Sequence, residues 1–277
     1  MAAQGLSELM AGKRGLVMGV ANDHSIAWGI AEALHAAGAE LAFTYQGAPF
    51  AKRVQPLAEG VGAKLVMDCD ADDEDQLAAV FDEIEKAWGG IDFVVHAIAY
   101  SDKSELKGRY LDTSRSNFNK TLTVSCYSFT AIARLALPLM KEGGSLLTLS
   151  YLGAERVTPN YNVMGVAKAA LEASVRYLAA DLGPVGVRVN AISAGPMRTL
   201  AGSAIANARF TYGWQRDQAP LNRPVELDEV GGAGLYLLSD LAQGVTGEVH
   251  HVDCGYNVIG VPSPRRLTTV EVDKAKE

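Results

Sequence analysis

Seven short apolar runs, LVMGV, ELAFTY, AKLVMD, IDFVVHA, GSLLTLS, VRVNAIS and GEVHHVD, recur along the 277 residues with helix-patterned stretches between them. A strand that is apolar on both faces must be covered on both faces. Parallel strands joined by crossover helices achieve that cover. The alternation therefore predicts an α/β fold: a doubly wound parallel sheet with helices on both faces. The length allows one large domain or two small ones. No Pro/Ser-rich linker, low-complexity tract or internal repeat divides the chain, so residues 1–277 are expected to form a single domain. The polar stretch 262–277, PSPRRLTTVEVDKAKE, is expected to be a loosely attached tail.

Composition narrows the function classes. The net charge of −7 argues against a general nucleic-acid binder. Cys69, Cys126 and Cys254 are far apart and form no C-x-x-C, which points to reduced thiols rather than a disulfide frame or a zinc site. The five histidines show no metal-ligand spacing. His250 and His251 are adjacent on a strand and so point to opposite faces. No signal pattern opens the chain and no apolar run approaches membrane-spanning length, so a cytoplasmic protein is expected, with neither metal nor membrane partner.

The segment KRGLVMGVANDHSIAWGIAEALHAAGAELAFTYQ reads as strand, glycine turn, helix, strand. That is the βαβ unit of a mononucleotide-binding half. Gly19 lets the backbone approach a pyrophosphate, and the helix beyond it turns free N–H groups and a partial positive charge toward the phosphates. The full G-x-G-x-x-G is absent: five residues separate Gly19 from Ser25, and three more precede Gly29. Gln46, at the end of the second strand, stands where a ribose-reading carboxylate is often found. It is able to bond a ribose hydroxyl but has no charge for a 2′-phosphate. An ordinary polar strand end fits Gln46 equally well.

Tyr161 and Lys168 stand seven residues apart in NYNVMGVAKAALEASVRYLAADLG, a stretch with helical periodicity. Nearly two turns put both on one face of a helix, a phenol with an ammonium beside it. Such a phenol is a hydrogen-bond or proton donor. Tyr151 ends the apolar run GSLLTLSY ten residues earlier. Surface aromatics and a solvated lysine are the competing reading of all three.

In order, the glycine turn, an Asp after the third strand, a small-residue strand end, Tyr and Lys, and then VNAISAGP resemble the short-chain dehydrogenase/reductase family. The Tyr–Lys spacing of seven, with Tyr151 upstream, is similar to the divergent enoyl-acyl-carrier-protein reductase branch of bacterial type II fatty-acid synthesis. SYLGAERVTPNYNVMGVAKAALEASVRY and GVRVNAISAGPMRTLA carry that likeness, which extends from Gly12 to about Gly260. The resemblance implies a Rossmann-like fold and an NADH-dependent reduction of enoyl thioesters. It implies an acyl carrier protein as partner, small thioesters as alternative substrates, and a homotetramer. It places Gly19, Ser25 and Ile26 at the pyrophosphate, Gln46 at the adenosine ribose, and Asp70 and Ala71 at the adenine. Ile98 falls beneath the cofactor, Lys168 on the nicotinamide ribose, and Met197, Arg198, Thr199, Leu200 and Ala201 over the nicotinamide. Tyr161 and Tyr151 are the implied catalytic tyrosines, and Ser101, Tyr151, Tyr161 and Phe210 face the substrate. Tyr151 fits a packing role equally well.

The segment TLAGSAIANARFTYGWQRDQAP, within a flap expected over about 197–219, is rich in small residues and spaces Phe210, Tyr212 and Trp214 by two. A mobile cover over an acyl chain needs that mixture, although a surface helix with its aromatics on the core answers to it too. From Arg198 to Arg223 the chain carries Arg198, Arg209, Arg216 and Arg223 against one acid, Asp217, an excess of three positive charges. An acidic carrier would dock on such a rim; a solvated face is the alternative. A carbonyl reductase or alcohol dehydrogenase, and a non-catalytic dinucleotide sensor, are the other functions this scaffold supports.

Overall fold

The computed structural model describes residues 7–200, 202 and 208–261. The predicted polar tail 262–277 lies outside them. All seven apolar runs form strands: β1 Arg14–Met18, β2 Glu40–Tyr45, β3 Leu65–Asp68, β4 Phe93–His96, β5 Gly144–Ser150, β6 Val187–Ala194 and β7 Val249–Val252. They build one sheet in the order β3-β2-β1-β4-β5-β6-β7, every neighbour pair parallel. The helices are α1 Ile26–Ala36, α2 Ala48–Gly60, α3 Glu74–Trp88, α4 Arg115–Leu122, α5 Ser128–Ala136, α6 Asn162–Leu182, α7 Ala208–Gln218 and α8 Leu227–Leu238.

Alternation along β1 shows why the sheet needs two covers. Leu16 and Met18 pack into one apolar core, with Leu77, Phe129, Ile132, Leu171 and Val175 from α3, α5 and α6. Val17 points the other way and packs with Ile30, Leu34, Val54, Val230 and Leu237 from α1, α2 and α8. Phe43 and Phe129 are completely buried in opposite cores, and burial on that scale contributes about 1.5–3 kcal/mol per side chain. Local signals agree with the packing. Asp73 caps α3 by accepting from the N–H groups of Asp75 and Gln76 at 3.0 and 3.1 Å, and Gly89, at φ +69°, ends it.

One expectation is corrected. Arg115–Leu139 is a continuous helical run long and apolar enough, by length and composition, to cross a membrane. A π-helical turn at Thr123–Tyr127 joins α4 to α5 within it. More than half of its most apolar 18-residue window is buried inside the protein, where the α5 side chains supply part of the core.

Strand order reverses direction between β1 and β4. Crossovers leave to opposite sides there, and a crevice opens at the carboxyl ends of the strands. His96, the last residue of β4, is fully buried directly behind that edge. Its Nδ1 lies 2.8 Å from Thr148 Oγ1 and its Nε2 lies 2.9 Å from Ser128 Oγ. The Ser128 hydroxyl already donates to the Val124 carbonyl at 2.7 Å, so its oxygen accepts from Nε2–H. Thr148 Oγ1 lies between two acceptors, Nδ1 and the His96 carbonyl at 3.1 Å, and the imidazole is neutral. Burial, with the Lys168 charge adding, pushes its pKa down from 6.5 to about 3. The unfolded chain therefore takes up a proton below about pH 6.5 that the native state refuses until about pH 3. Stability from neutral His96 is complete above that window and lost as the pH falls through it. Urea unfolding between pH 6.5 and 4 is expected to lose up to about 1.4 kcal/mol per pH unit more in the wild type than in His96→Gln. Parallel profiles would assign the acid sensitivity to other groups.

Candidate active site

The residues singled out for a cofactor fall along the carboxyl edge of the sheet. Gly19 follows β1 at φ +96°, and a Cβ there would lie 2.1 Å from the Ala97 carbonyl oxygen. Only glycine lets β1 and β4 approach so closely. Ser25 is buried, and its Oγ accepts from the N–H groups of Ala21 and Asn22 at 3.0 and 3.1 Å. The hydroxyl thus shapes the turn, and Ile26 opens α1 directly after it. A helix N-terminus behind a tight turn is an anion site. Gln46, exposed, follows β2. Asp70 and Ala71 follow β3; the Asp70 N–H donates to Gln76 Oε1 at 2.9 Å, and its carboxylate accepts from the Asp72 N–H at 3.0 Å. Ile98 follows β4, half-buried against the core.

Beyond β6, Met197 packs on the other core. The exposed Arg198 guanidinium lies 5.0 Å from the centre of the Tyr212 ring. Thr199 Oγ1 accepts from the Gly202 N–H at 2.9 Å, and Leu200 is exposed. Ala201 lies outside the described residues.

The junction of β5 with α6 carries the ionisable groups. Lys168 is only 6% exposed, and its Nζ donates to the Leu149 carbonyl at 2.7 Å. One turn further on, buried Glu172 accepts from Ser150 Oγ. Burial lowers the Lys168 pKa to about 8, while Cys126 and Glu172 pull it up. Burial also raises that of Glu172. An ammonium has three donors, so the bond to Leu149 leaves two N–H directions for other partners.

Tyr161 is 7% exposed. Its ring meets the Tyr151 ring edge-on, with centroids 5.0 Å apart at 69°. Leu106, Val163, Met164 and Ala167 complete an apolar cluster around it. Burial, with the nearby Tyr151 and Glu172, pushes the Tyr161 phenol well above its usual range. One feature of the sequence reading is corrected: Tyr161 stands at the boundary of α6 rather than inside it. The local reason is the N-Y-N triplet: Asn160 and Asn162 both adopt positive φ, +60° and +39°, a conformation asparagine tolerates better than most residues. The Asn162 side-chain amide also reaches the Leu106 and Gly108 carbonyls at 3.2 and 3.3 Å. The turn into the helix is thereby pinned, and Tyr161 with it.

The remaining substrate-side residues divide. The Ser101 hydroxyl is buried among Asn117 and Thr121, accepting from Thr121 Oγ1 at 3.0 Å. Phe210 is 59% exposed and stacks on Trp214. Residues 208–218 form the helix α7, and its aromatics take different partners. Trp214 Nε1 donates to Tyr256 Oη at 3.2 Å, and Tyr212 lies under Arg198. Sequence reasoning missed Gln215, whose Nε2 donates to Tyr151 Oη at 2.9 Å, and also Tyr256 and Gly153. No pattern marks the first two. Gly153 had a signal, a glycine two residues after the strand-end tyrosine.

The sheet and its edge define a doubly wound α/β protein with a crevice of the dinucleotide-binding type. A family profile described as enoyl-(acyl carrier protein) reductase matches residues 19–257. The chain is 60% identical over 268 residues to enoyl-[acyl-carrier-protein] reductase [NADH] 2 of Rhizobium meliloti, covering 97% of this chain and all of that one. An enoyl-(acyl-carrier-protein) reductase from Anaplasma phagocytophilum, solved in complex with NAD, superposes with a TM-score of 0.90 at 59% identity, covering 93% of this chain and 98% of that one. FabI from Candidatus Liberibacter asiaticus superposes at 0.91 and 54% identity, covering 92% and 99% of the two chains. The chain belongs to the enoyl-(acyl carrier protein) reductase family.

Gly153 has a steric consequence. A Cβ there would fall 2.4 Å from Tyr161 Cδ1 and 3.3 Å from Tyr151 Cδ1. Gly153→Ala is expected to displace the Tyr161 ring and lower reductase turnover about 10²-fold, the scale of a roughly 1 Å misplacement. Steady-state kinetics on folded variant check it, and unchanged turnover would mean that the ring position is not critical.

Proposed function

We propose that this chain is an NADH-dependent enoyl-acyl-carrier-protein reductase, reducing the 2,3 double bond of trans-2-enoyl thioesters in type II fatty-acid synthesis. One observation carries the chemistry: Tyr161 is a buried phenol whose proton is held firmly at neutral pH. Hydride addition at the β-carbon of an enoyl thioester places negative charge on the thioester oxygen. A neutral donor aimed at that oxygen stabilises the charge as it develops, and a preorganised donor of this kind is worth about 3–4 kcal/mol. Tyr161 fills that role.

The edge fits a dinucleotide. At Gly19 the first strand turns tightly against the Ala97 carbonyl, and the turn leads into the N-terminus of α1. Gly19, Ser25 and Ile26 would hold the pyrophosphate, Gln46 the adenosine ribose, and Asp70 and Ala71 the adenine. Ile98 would lie beneath the cofactor, and Met197 to Ala201 would cover its nicotinamide end. Bound NADH supplies the hydride. Lys168 has two N–H directions left for the nicotinamide ribose, and its charge favours the developing anion. Gln46 is exposed and neutral, which suits a ribose without a 2′-phosphate. Tyr151 and Phe210 border the acyl chain, and Ser101 shapes the same wall from the buried network it shares with Asn117. A cytoplasmic homotetramer completes this reading. Val166 and Tyr177, exposed on one face of α6, offer an apolar surface for self-association.

The assay is NADH oxidation with a crotonyl thioester and with a simple ketone. Turnover of the thioester alone is expected; turnover of the ketone alone would mark a carbonyl reductase, and turnover of neither a sensor. Tyr161→Phe is expected to lower kcat by about 10²–10³, the scale of one lost oxyanion donor, with the NADH dissociation constant nearly unchanged. Full activity in that variant would remove Tyr161 from the mechanism.

The carrier surface is smaller than the arginine excess implies. Arg216 pairs with Asp217 at 2.6 Å, and Arg223 grips Glu229 through two bonds at 2.8 and 2.5 Å. Arg209 is exposed on the first turn of α7 and, among the described residues, has no ion pair. Arg209→Glu is expected to raise KM for an acyl-carrier-protein substrate and to leave KM for a coenzyme A thioester almost untouched. The difference shrinks near 0.5 M salt, where the screening length falls to about 4 Å. Equal effects on both substrates would place Arg209 in the fold or the pocket wall instead.

A further inference from the structure

Two adjacent residues of α7 reach two different aromatic hydroxyls. Trp214 Nε1 donates to Tyr256 Oη at 3.2 Å, and Gln215 Nε2 donates to Tyr151 Oη at 2.9 Å. Gln215 is 6% exposed, so its amide has left water to make that bond. A buried amide that lost its partner would carry the full cost of desolvation. The bond is also directional. The amide nitrogen only donates, so the Tyr151 oxygen is the acceptor and the Tyr151 proton stays free to be given elsewhere. Tyr151 in turn meets the Tyr161 ring edge-on at 5.0 Å. Tyr161 has the Gly153 backbone against its ring, where a Cβ would come within 2.4 Å, so it has little room to shift independently. A chain of direct contacts thus runs from Gln215 through Tyr151 to Tyr161.

We infer that Gln215 is a positioning residue of the reaction. Its side-chain amide sets the tilt of Tyr151 and the direction of the Tyr151 hydroxyl, and through the ring contact it sets the aim of the Tyr161 phenol. Two phenols held edge to edge are free to rock together about their Cα–Cβ bonds. A hydrogen bond from a third element removes that freedom. Without the bond, the Tyr161 hydroxyl spends less time in the geometry that meets a developing thioester oxyanion. The loss falls on the chemical step and not on cofactor binding, because the Gln215 amide bonds Tyr151 and, among the described residues, no residue of the glycine turn.

The inference rests on the reading of the chain as an enoyl-thioester reductase, and a double-mutant cycle separates the two. Four full-length proteins are compared with NADH and a crotonyl thioester: wild type, Gln215→Met, Tyr151→Phe, and the double variant. Methionine keeps the length and the unbranched shape of glutamine and removes the donor. Gln215→Met is expected to lower kcat about tenfold, the scale of one buried hydrogen bond, with KM for NADH unchanged. In the Tyr151→Phe background the same change is expected to have no further effect, since Gln215 acts only through the Tyr151 hydroxyl. Thermal melting of each variant shows whether it is folded. If Gln215→Met does not fold, Gln215→Leu replaces it in the cycle; it too removes the donor and is expected to lose the same activity. Losses that multiply in the double variant, or full activity in the single one, would overturn the inference and leave the reductase reading standing. A wild type that fails to reduce the thioester would overturn both.

Discussion

A buried ammonium held against a strand carbonyl is the contact on which the site depends. Lys168 gives one proton to the Leu149 carbonyl, and one turn later Glu172 takes a hydrogen bond from Ser150. Two consecutive residues at the end of β5 are thereby tied to two consecutive turns of α6. The next residue of the strand is Tyr151, and the residue that introduces the helix is Tyr161. Their edge contact follows from the two ties behind it. Taking a lysine and a glutamate out of water is costly, and these bonds offset only part of that cost. The return is geometric: strand end and helix start are held in one register where the proposed chemistry needs it.

Burial sets the protonation states in a useful direction. The Tyr161 phenol is held protonated, while the Lys168 ammonium is loosened to about 8. On the proposed reading a neutral donor is required at the thioester oxygen, because a phenolate would repel the charge that develops there. Lys168 adds its charge near that place at the pH where the cell works, and a ribose hydroxyl accepting from it would favour the charged form further. His96 stands behind the same edge as a neutral, fully bonded imidazole. It contributes no charge of its own and keeps the end of β4 attached to β5 through Thr148.

Helix α7 shows how far tertiary contacts redistribute residues that look alike in the sequence. Phe210, Tyr212 and Trp214 form a regular series by spacing, yet one is exposed, one lies under Arg198 and one reaches Tyr256. The arginines divide in the same way. Arg216 and Arg223 are absorbed by neighbouring carboxylates, one of them on α8, so the local excess of positive charge is weaker than a residue count implies.

The strands and the helices between them were legible in the chain from periodicity. The seven apolar runs, the helical stretches between them and the glycine turn fix the sheet, its parallel sense and the edge where Gly19, Gln46, Asp70 and Ile98 gather, because apolar patterning is local and topology follows from it. The spacing of Tyr161 and Lys168 was legible, and the resemblance carried by those motifs extended the reading to a family. The exact place of Tyr161 was not, since two asparagines in the left-handed region set it outside the helix that its periodicity implied. Nor were the partners of Tyr151. Gln215 is 64 residues further along the chain, and Gly153 matters only because a ring lies against it. The sequence by itself determined the strands, their parallel order and the strand ends on which the proposed site residues stand. Only the tertiary structure decided their protonation, their aim and their supporting bonds, because those depend on burial and on neighbours that sequence distance does not encode.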